Sequence, residues 1–91
     1  MKTIELYIEA EFKLATKEWV DYLEWNPARS IPYQTNKFMK ELDKDELIDY
    51  IDSYIASEIE ADYGPSARIE FIYLSLTKAY DETNKKYRYF E

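Results

Sequence analysis

The sequence predicts a small two-layer α+β domain. It has a three-stranded, mainly antiparallel sheet, element order β-α-α-β-β, with one long acidic helix packed on one face. Three observations carry this. Residues 3–14 alternate apolar and polar with a period of two. Residues 43–62 place apolar residues at helical spacing. Residues 67–90 read as two strands joined by turn residues. At 91 residues the chain is read as a single domain, 1–91. One Gly and three Pro leave few places to turn, so elements are long and loops few.

The first strand runs from Thr3 to Leu14. Ile4, Leu6, Ile8, Ala10, Phe12 and Leu14 fall on one face, and Glu5, Tyr7, Glu9, Glu11 and Lys13 on the other. Ala15 to Asn26 admits two readings. In the first, Thr16 caps a helix with Trp19, Val20 and Leu23 inward, stopped by Asn26-Pro27. In the second, the chain turns at Thr16-Lys17 and runs a strand through Trp19, Asp21 and Leu23. The helix is preferred, because Trp19 and Leu23 sit at i,i+4 and Asp21 would spoil a strand's apolar face. Asn26 to Gln34, with Pro27 and Pro32, reads as a loop.

Thr35 is the next cap, opening a short helix through Phe38, Met39 and Leu42. Asp43 and Glu46 then have capping-box spacing. The main helix that follows turns Leu47, Ile48, Ile51, Tyr54, Ile55 and Ile59 inward over an arc of about 140°. Gly64-Pro65 ends it, with Gly64 expected in the left-handed conformation. Ala67 to Tyr80 is a strand whose apolar parity switches. Ala67, Ile69, Phe71 and Tyr73 share one face; Ile72, Leu74 and Leu76 share the other. That predicts a strand covered on both sides, or a bulge that re-aims the pleat. Asp81 to Asn84 is turn chemistry, and Lys85 to Phe90 returns as a third strand. Either partner of this hairpin is open to the first strand.

Residue types exclude several functions. There is no Cys, hence no disulfide, thiolate metal site or thiol nucleophile. There is no His, the commonest general base and transition-metal ligand. No apolar run nears the ~20 residues that span a bilayer. The alternation starts at once, so the N-terminus does not read as a signal peptide, and the cytoplasm is the default compartment. A formal charge of −7 argues against direct nucleic-acid binding and suits a basic partner.

That charge is segregated. Residues 43–62 hold Asp43, Asp45, Glu46, Asp49, Asp52, Glu58, Glu60 and Asp62. Those eight acids against one base, Lys44, give −7, while the remaining eleven acids and eleven bases cancel. Asp45, Asp49, Asp52 and Glu60 point away from the apolar stripe, with Ala56 between them and Glu46 and Tyr50 at the margin. Steps of three or four residues space acids every ~5–6 Å, the scale of a nucleic-acid backbone. The arrangement is unfavourable to the helix itself. Like charges at i,i+4 repel, and acids at the C-terminal end oppose the dipole. The bland alternative is a solvated face that keeps a small protein dispersed.

Other constellations are weaker. Asp43, Asp45 and Glu46 lack the Gly and alternate ligands of an EF-hand loop, so neither metal nor cofactor is expected. Glu9 and Glu11 are ordinary outward strand residues, and no nucleophile–base pair or phosphate loop exists, so no enzyme is expected. Lys85, Lys86, Tyr87, Arg88, Tyr89 and Phe90 mix bases with aromatics as stacking platforms do. A charge-protected edge strand explains them more simply.

In size, charge and its acidic helix the chain is similar to small acidic phage and mobile-element proteins, anti-CRISPR and anti-restriction proteins among them. These occupy nucleic-acid-binding clefts of host-defence enzymes. The similarity carries over no matched residues. The expectation is a DNA-mimicking inhibitor of a basic nucleic-acid-binding protein, acting through Asp45, Glu46, Asp49, Tyr50, Asp52 and Glu60. The alternative is a self-associating structural or regulatory module, a homodimer formed through a sheet edge or the outer aromatic face.

Overall fold

A long amphipathic strand has one face and two edges to satisfy, and the architecture follows from how each is met. The computed structural model describes residues 1–17, 19–25 and 30–90. The first strand, β1 (Lys2–Ala15), lies at the centre of an antiparallel sheet. Along one edge it pairs with β2 (Val20–Trp25) and β3 (Ser30–Thr35), and along the other with β4 (Arg68–Asp81). A short fifth strand, β5 (Lys86–Tyr89), pairs with the far end of β4. One helix, α1 (Lys44–Tyr63), covers one face. The α+β class and the antiparallel sheet stand, but the described residues form five strands rather than three, in the order β-β-β-α-β-β.

Two segments depart from expectation. Ala15 to Asn26 does not form a helix. Instead Thr16 closes a turn, its N–H donating to Trp19 O at 2.9 Å and its Oγ1 accepting from Trp19 N at 3.3 Å, and β2 returns alongside β1. Trp19 and Val20, assigned to a buried helical stripe, are 41% and 54% exposed. Asp21 does sit on the helix-side face, opposite Leu14, but in an outer strand it remains exposed and accepts from Tyr22 N. The stretch read as a loop up to Gln34 contains β3. There Ile31 is buried opposite Leu6, and Pro32 is tolerated because its strand is at the sheet's edge. The Asn26-Pro27 stop lies outside the described residues.

β2 and β3 run in one direction along the same edge. Between Trp25 and Ser30 the chain has four residues where β1, between Ala10 and Tyr7, has two. The short helix expected from Thr35 is only a 3-10 turn, Met39–Glu41. Thr35 is buried and its hydroxyl accepts from Lys37 N at 3.0 Å, closing a local turn instead of capping a helix.

The core forms where α1 lies on the sheet. Ile4, Leu6, Ile8, Ala10, Phe12 and Leu14 of β1 all have 0% exposure. Against them pack Leu47, Ile51, Ile55 and Ile59, spaced by four along the helix, together with Ile31, Leu42, Leu76 and Ala79.

β4 resolves the parity switch by bulging twice. Its register with β1 slips by one residue at Ile72 and again at Thr77. Inward positions therefore run Ile69, Phe71, then Leu74, Leu76, then Ala79, Asp81, opposite the even residues of β1. The Thr77 hydroxyl donates to Tyr7 O at 2.8 Å, holding the second bulge to β1.

The helix ends at Gly64, whose φ is 93° and ψ 170°. That is an extended positive-φ conformation open essentially only to Gly, not the left-handed helical one expected. Gly64 N still donates to Glu60 O at 2.8 Å.

Candidate functional site

The outer face of α1 is built from its N-terminus. Asp43, in extended conformation, accepts from Asp45 N at 2.9 Å, so one carboxylate satisfies a backbone donor that the first turn leaves without a helical partner. Asp45 and Glu46 sit in that first turn, where the dipole stabilises negative charge. The last turn carries no base, so Glu60 and Asp62 meet the dipole's negative end uncompensated.

Of the candidate residues, Asp45, Glu46, Asp49, Asp52 and Glu60 are all exposed. The buried ridge beneath them fixes their azimuth. They do not form one even row. Asp45, Asp49 and Asp52 make a group about 10 Å long. Ser53, Ala56 and Ser57 follow, and Glu60 stands ~12 Å beyond Asp52 along the axis. Glu46 lies at the side, its Oε2 3.8 Å from Lys37 Nζ, with both side chains more than half exposed.

Tyr50 has a different role from its acidic neighbours. Its hydroxyl donates to Pro32 O at 2.7 Å, its ring meets Tyr33 edge-on at 4.9 Å, and Tyr54 lies 6.1 Å away. Burial, then the neighbouring Tyr33, raises its phenol above the ordinary value. Tyr50 thus fastens α1 to β3. On the helical wheel Tyr50 falls at the margin of the acidic face, which suggests an interface residue; the strand to which it is fastened reads as loop in the sequence.

On the open face of the sheet a second cluster forms that the sequence did not assemble. Lys78 Nζ lies 5.1 Å from the Tyr7 ring centre and 5.0 Å from that of Tyr87. Tyr80 and Tyr87 are 4.5 Å apart, and Tyr89 extends the stack at 6.1 Å from Tyr87. Partial burial, then Tyr87 and Glu5, raises the Tyr7 phenol. Parity gave Tyr7 as outward, and Tyr87 and Tyr89 were noted only as part of the basic–aromatic run at 85–90; the order β1-β4-β5 brings them together. Arg88 points the other way. Its Nη1 donates to Met39 O and Leu42 O, both at 2.7 Å, so it holds the chain before α1 in place.

A cleft of about 450 Å³ lies at the β4–β5 end, lined by Lys2, Phe38, Met39, Lys40, Asp81, Asn84 and Lys86. Its buried carboxylate, Asp81, is fully engaged. It accepts from Lys2 Nζ and Asn84 Nδ2 at 2.9 Å each, and from Thr83 N and Asn84 N at 3.0 and 3.2 Å. The Lys2 ammonium chiefly, helped by the Asn84 bonds, lowers its pKa to about 2. This is a structural staple between β1 and the last hairpin.

Among the described residues no group of three or more carboxylates could hold a metal ion, and no helix is long and apolar enough to cross a membrane. Compared with protein-family models, curated proteins and solved structures, the chain matches none.

Proposed function

We propose that this chain is a non-enzymatic binding protein of the cytoplasm. In this reading it inhibits a nucleic-acid-processing protein, of the host-defence kind, by presenting the outer face of α1 to a cleft built for phosphates. One observation carries the reading. The helix that together with its cap Asp43 holds the whole net charge is also the cover of the core, so Asp45, Asp49, Asp52 and Glu60 keep a fixed spacing. A charge set placed only for dispersal needs no such rigidity, and it would gain from a base in the last turn, which α1 lacks.

The partner is a basic protein whose groove carries Lys and Arg. The Asp45-Asp49-Asp52 group supplies the main contact, Glu60 a second one further along, and Glu46 the margin. Tyr50 supports the helix from beneath. Attraction of this kind is long-ranged and screened, so the on-rate falls steeply with salt.

The test is a DNA-cleavage assay with purified restriction and CRISPR effector nucleases, at low and moderate salt. Inhibition that weakens with salt, and is lost in the combined variant Asp45→Asn, Asp49→Asn, Asp52→Asn, is the expected result. Inhibition unchanged in that variant would remove the α1 face from the mechanism.

A further inference from the structure

Among the described residues the sheet has three exposed edge segments, and they are not alike. The β2–β3 edge consists of two six-residue strands separated by residues 26–29, and it carries Pro32. β5 is four residues long and bears Lys86 and Arg88. Short strands, Pro and charges are the devices that stop an edge from pairing with another chain. The third segment is longer, and its charges, Arg68 and Glu70, are of opposite sign. β5 pairs with β4 only from Lys78 to Asp81, and Phe90 N adds a bond to Thr77 O. Among the described residues, Arg68 to Leu76 of β4 has no strand on the side away from β1. That stretch has no Pro and no Lys.

The packing is open at the same place. On the helix side Ile69, Phe71 and Leu74 touch the core but are only half-buried, while their β1 partners Leu14, Phe12 and Ala10 are at 0% exposure. On the other side Ile72 and Tyr73 are 54% and 48% exposed. One edge thus combines unpaired backbone with apolar side chains on both faces. A strand laid along it would satisfy the backbone and cover the flank of the core together.

We propose that this strand is the same segment of a second copy of the chain, antiparallel and centred on Ile69. Charge complementarity selects that occupant and register. About a two-fold axis through Ile69, Arg68 of each copy stands opposite Glu70 of the other on the open face. On the helix side Ile69 faces its counterpart and Ala67 faces Phe71. Glu70 then lies between Lys13 of its own β1 and Arg68 of the second copy. Centring one residue later would set Glu70 against Glu70, which like-charge repulsion disfavours. The paired segment ends before the Ile72 bulge, where the strand is regular. Arg68 uses Nη1 to hold Pro65 O and Ala67 O, both at 2.9 Å; in the dimer its other nitrogens serve Glu70 of the second copy. The two sheets become one continuous sheet with both α1 helices on the same side, which doubles the acidic surface without involving it in the contact.

Sedimentation equilibrium of the full chain over a wide concentration range tests this. The expected result is a reversible dimer that moderate salt does not dissolve, since the two copies carry like net charge. Glu70→Lys, at an exposed position, sets Lys against Arg68 at two symmetric sites and raises the dissociation constant by about tenfold or more. Arg68→Glu combined with Glu70→Arg brings it back. Amide exchange on the unsubstituted chain gives an independent readout, with protection within residues 67–71 rising with protein concentration. A chain that stays monomeric at millimolar concentration overturns the proposal, as does a dimer whose constant is unchanged by Glu70→Lys.

Discussion

β1 and β4 have the same length, fourteen residues, and opposite characters. β1 keeps its period of two from end to end, is paired on both edges, and buries every inward side chain. β4 carries two extra residues, is paired on its outer edge only near its end, and leaves the inward residues of its first half partly exposed. The two strands are directly paired and lie under the same helix, so the difference comes from neighbours. A strand's alternation says which side chains share a face; whether that face is dry depends on what flanks it. β1 is placed to carry stability. β4 is placed to be bent, and in its first half to be joined.

The sharpest way to break this comparison is to truncate the same side chain on each strand. Phe12 and Phe71 face each other across the β1–β4 pair, edge to face with ring centres 5.6 Å apart. Phe12→Ala is expected to cost about 3–5 kcal/mol in chemical denaturation. Phe71→Ala, measured at concentrations where the chain is monomeric, should cost less, about 2–3 kcal/mol, because part of that ring already meets water. Equal costs would show that the two strands are buried alike.

The second test sits where β4 does become fully buried, at Asp81. Asp81→Asn removes the ion pair with Lys2 while leaving an acceptor for the turn, and should cost about 2 kcal/mol near neutral pH. The folded protein holds this carboxyl at about 2 against an ordinary 3.8. A depressed pKa gives stability that is fully present above the unfolded value. The gap between the parent and the variant should therefore hold at neutral pH and close as pH falls from 3.8 towards 2. A gap that does not change across that interval would mean the charge pair is not its source.

The smallest effect concerns the second bulge. Thr77→Val keeps the shape but removes the hydroxyl that donates to Tyr7 O, at an expected cost of about 1 kcal/mol. Faster amide exchange confined to residues near Thr77 would identify that bond as what holds the bulge. Unchanged exchange would assign it to the flanking pairs alone.

Much of the fold was legible in the sequence because it is locally encoded. The alternation of Ile4 through Leu14, the four-residue spacing of Leu47 to Ile59, the cap at Asp43 and the stop at Gly64 depend on residues near one another in the chain. The parity switch in β4 was legible too, with a bulge as one of its two readings, and the structure has two bulges. What was misread lies between β1 and α1. Trp19 and Leu23 fit a helical spacing as well as a strand, and Pro32 suggested a loop. For the candidate face, the exposure of Asp45, Asp49, Asp52 and Glu60 followed from the helical wheel. The attachment of Tyr50 to Pro32 did not, because it depends on a strand eighteen residues away.

By itself, then, the sequence determined one long amphipathic strand, one acidic helix capped at both ends, and a closing hairpin. Period, caps and turn residues act over a few positions and need no distant partner. Only the tertiary structure decided that residues 20–25 and 30–35 are strands, that β4 takes the other edge of β1, and that among the described residues β4's own far edge stays open over its first half. A strand edge requires hydrogen bonds from somewhere, and a short ambiguous segment takes the conformation that the nearest edge rewards. β1 supplied that edge to β2 and β3. Within one copy of the chain, the described residues leave nothing of that kind for Arg68 to Leu76 of β4.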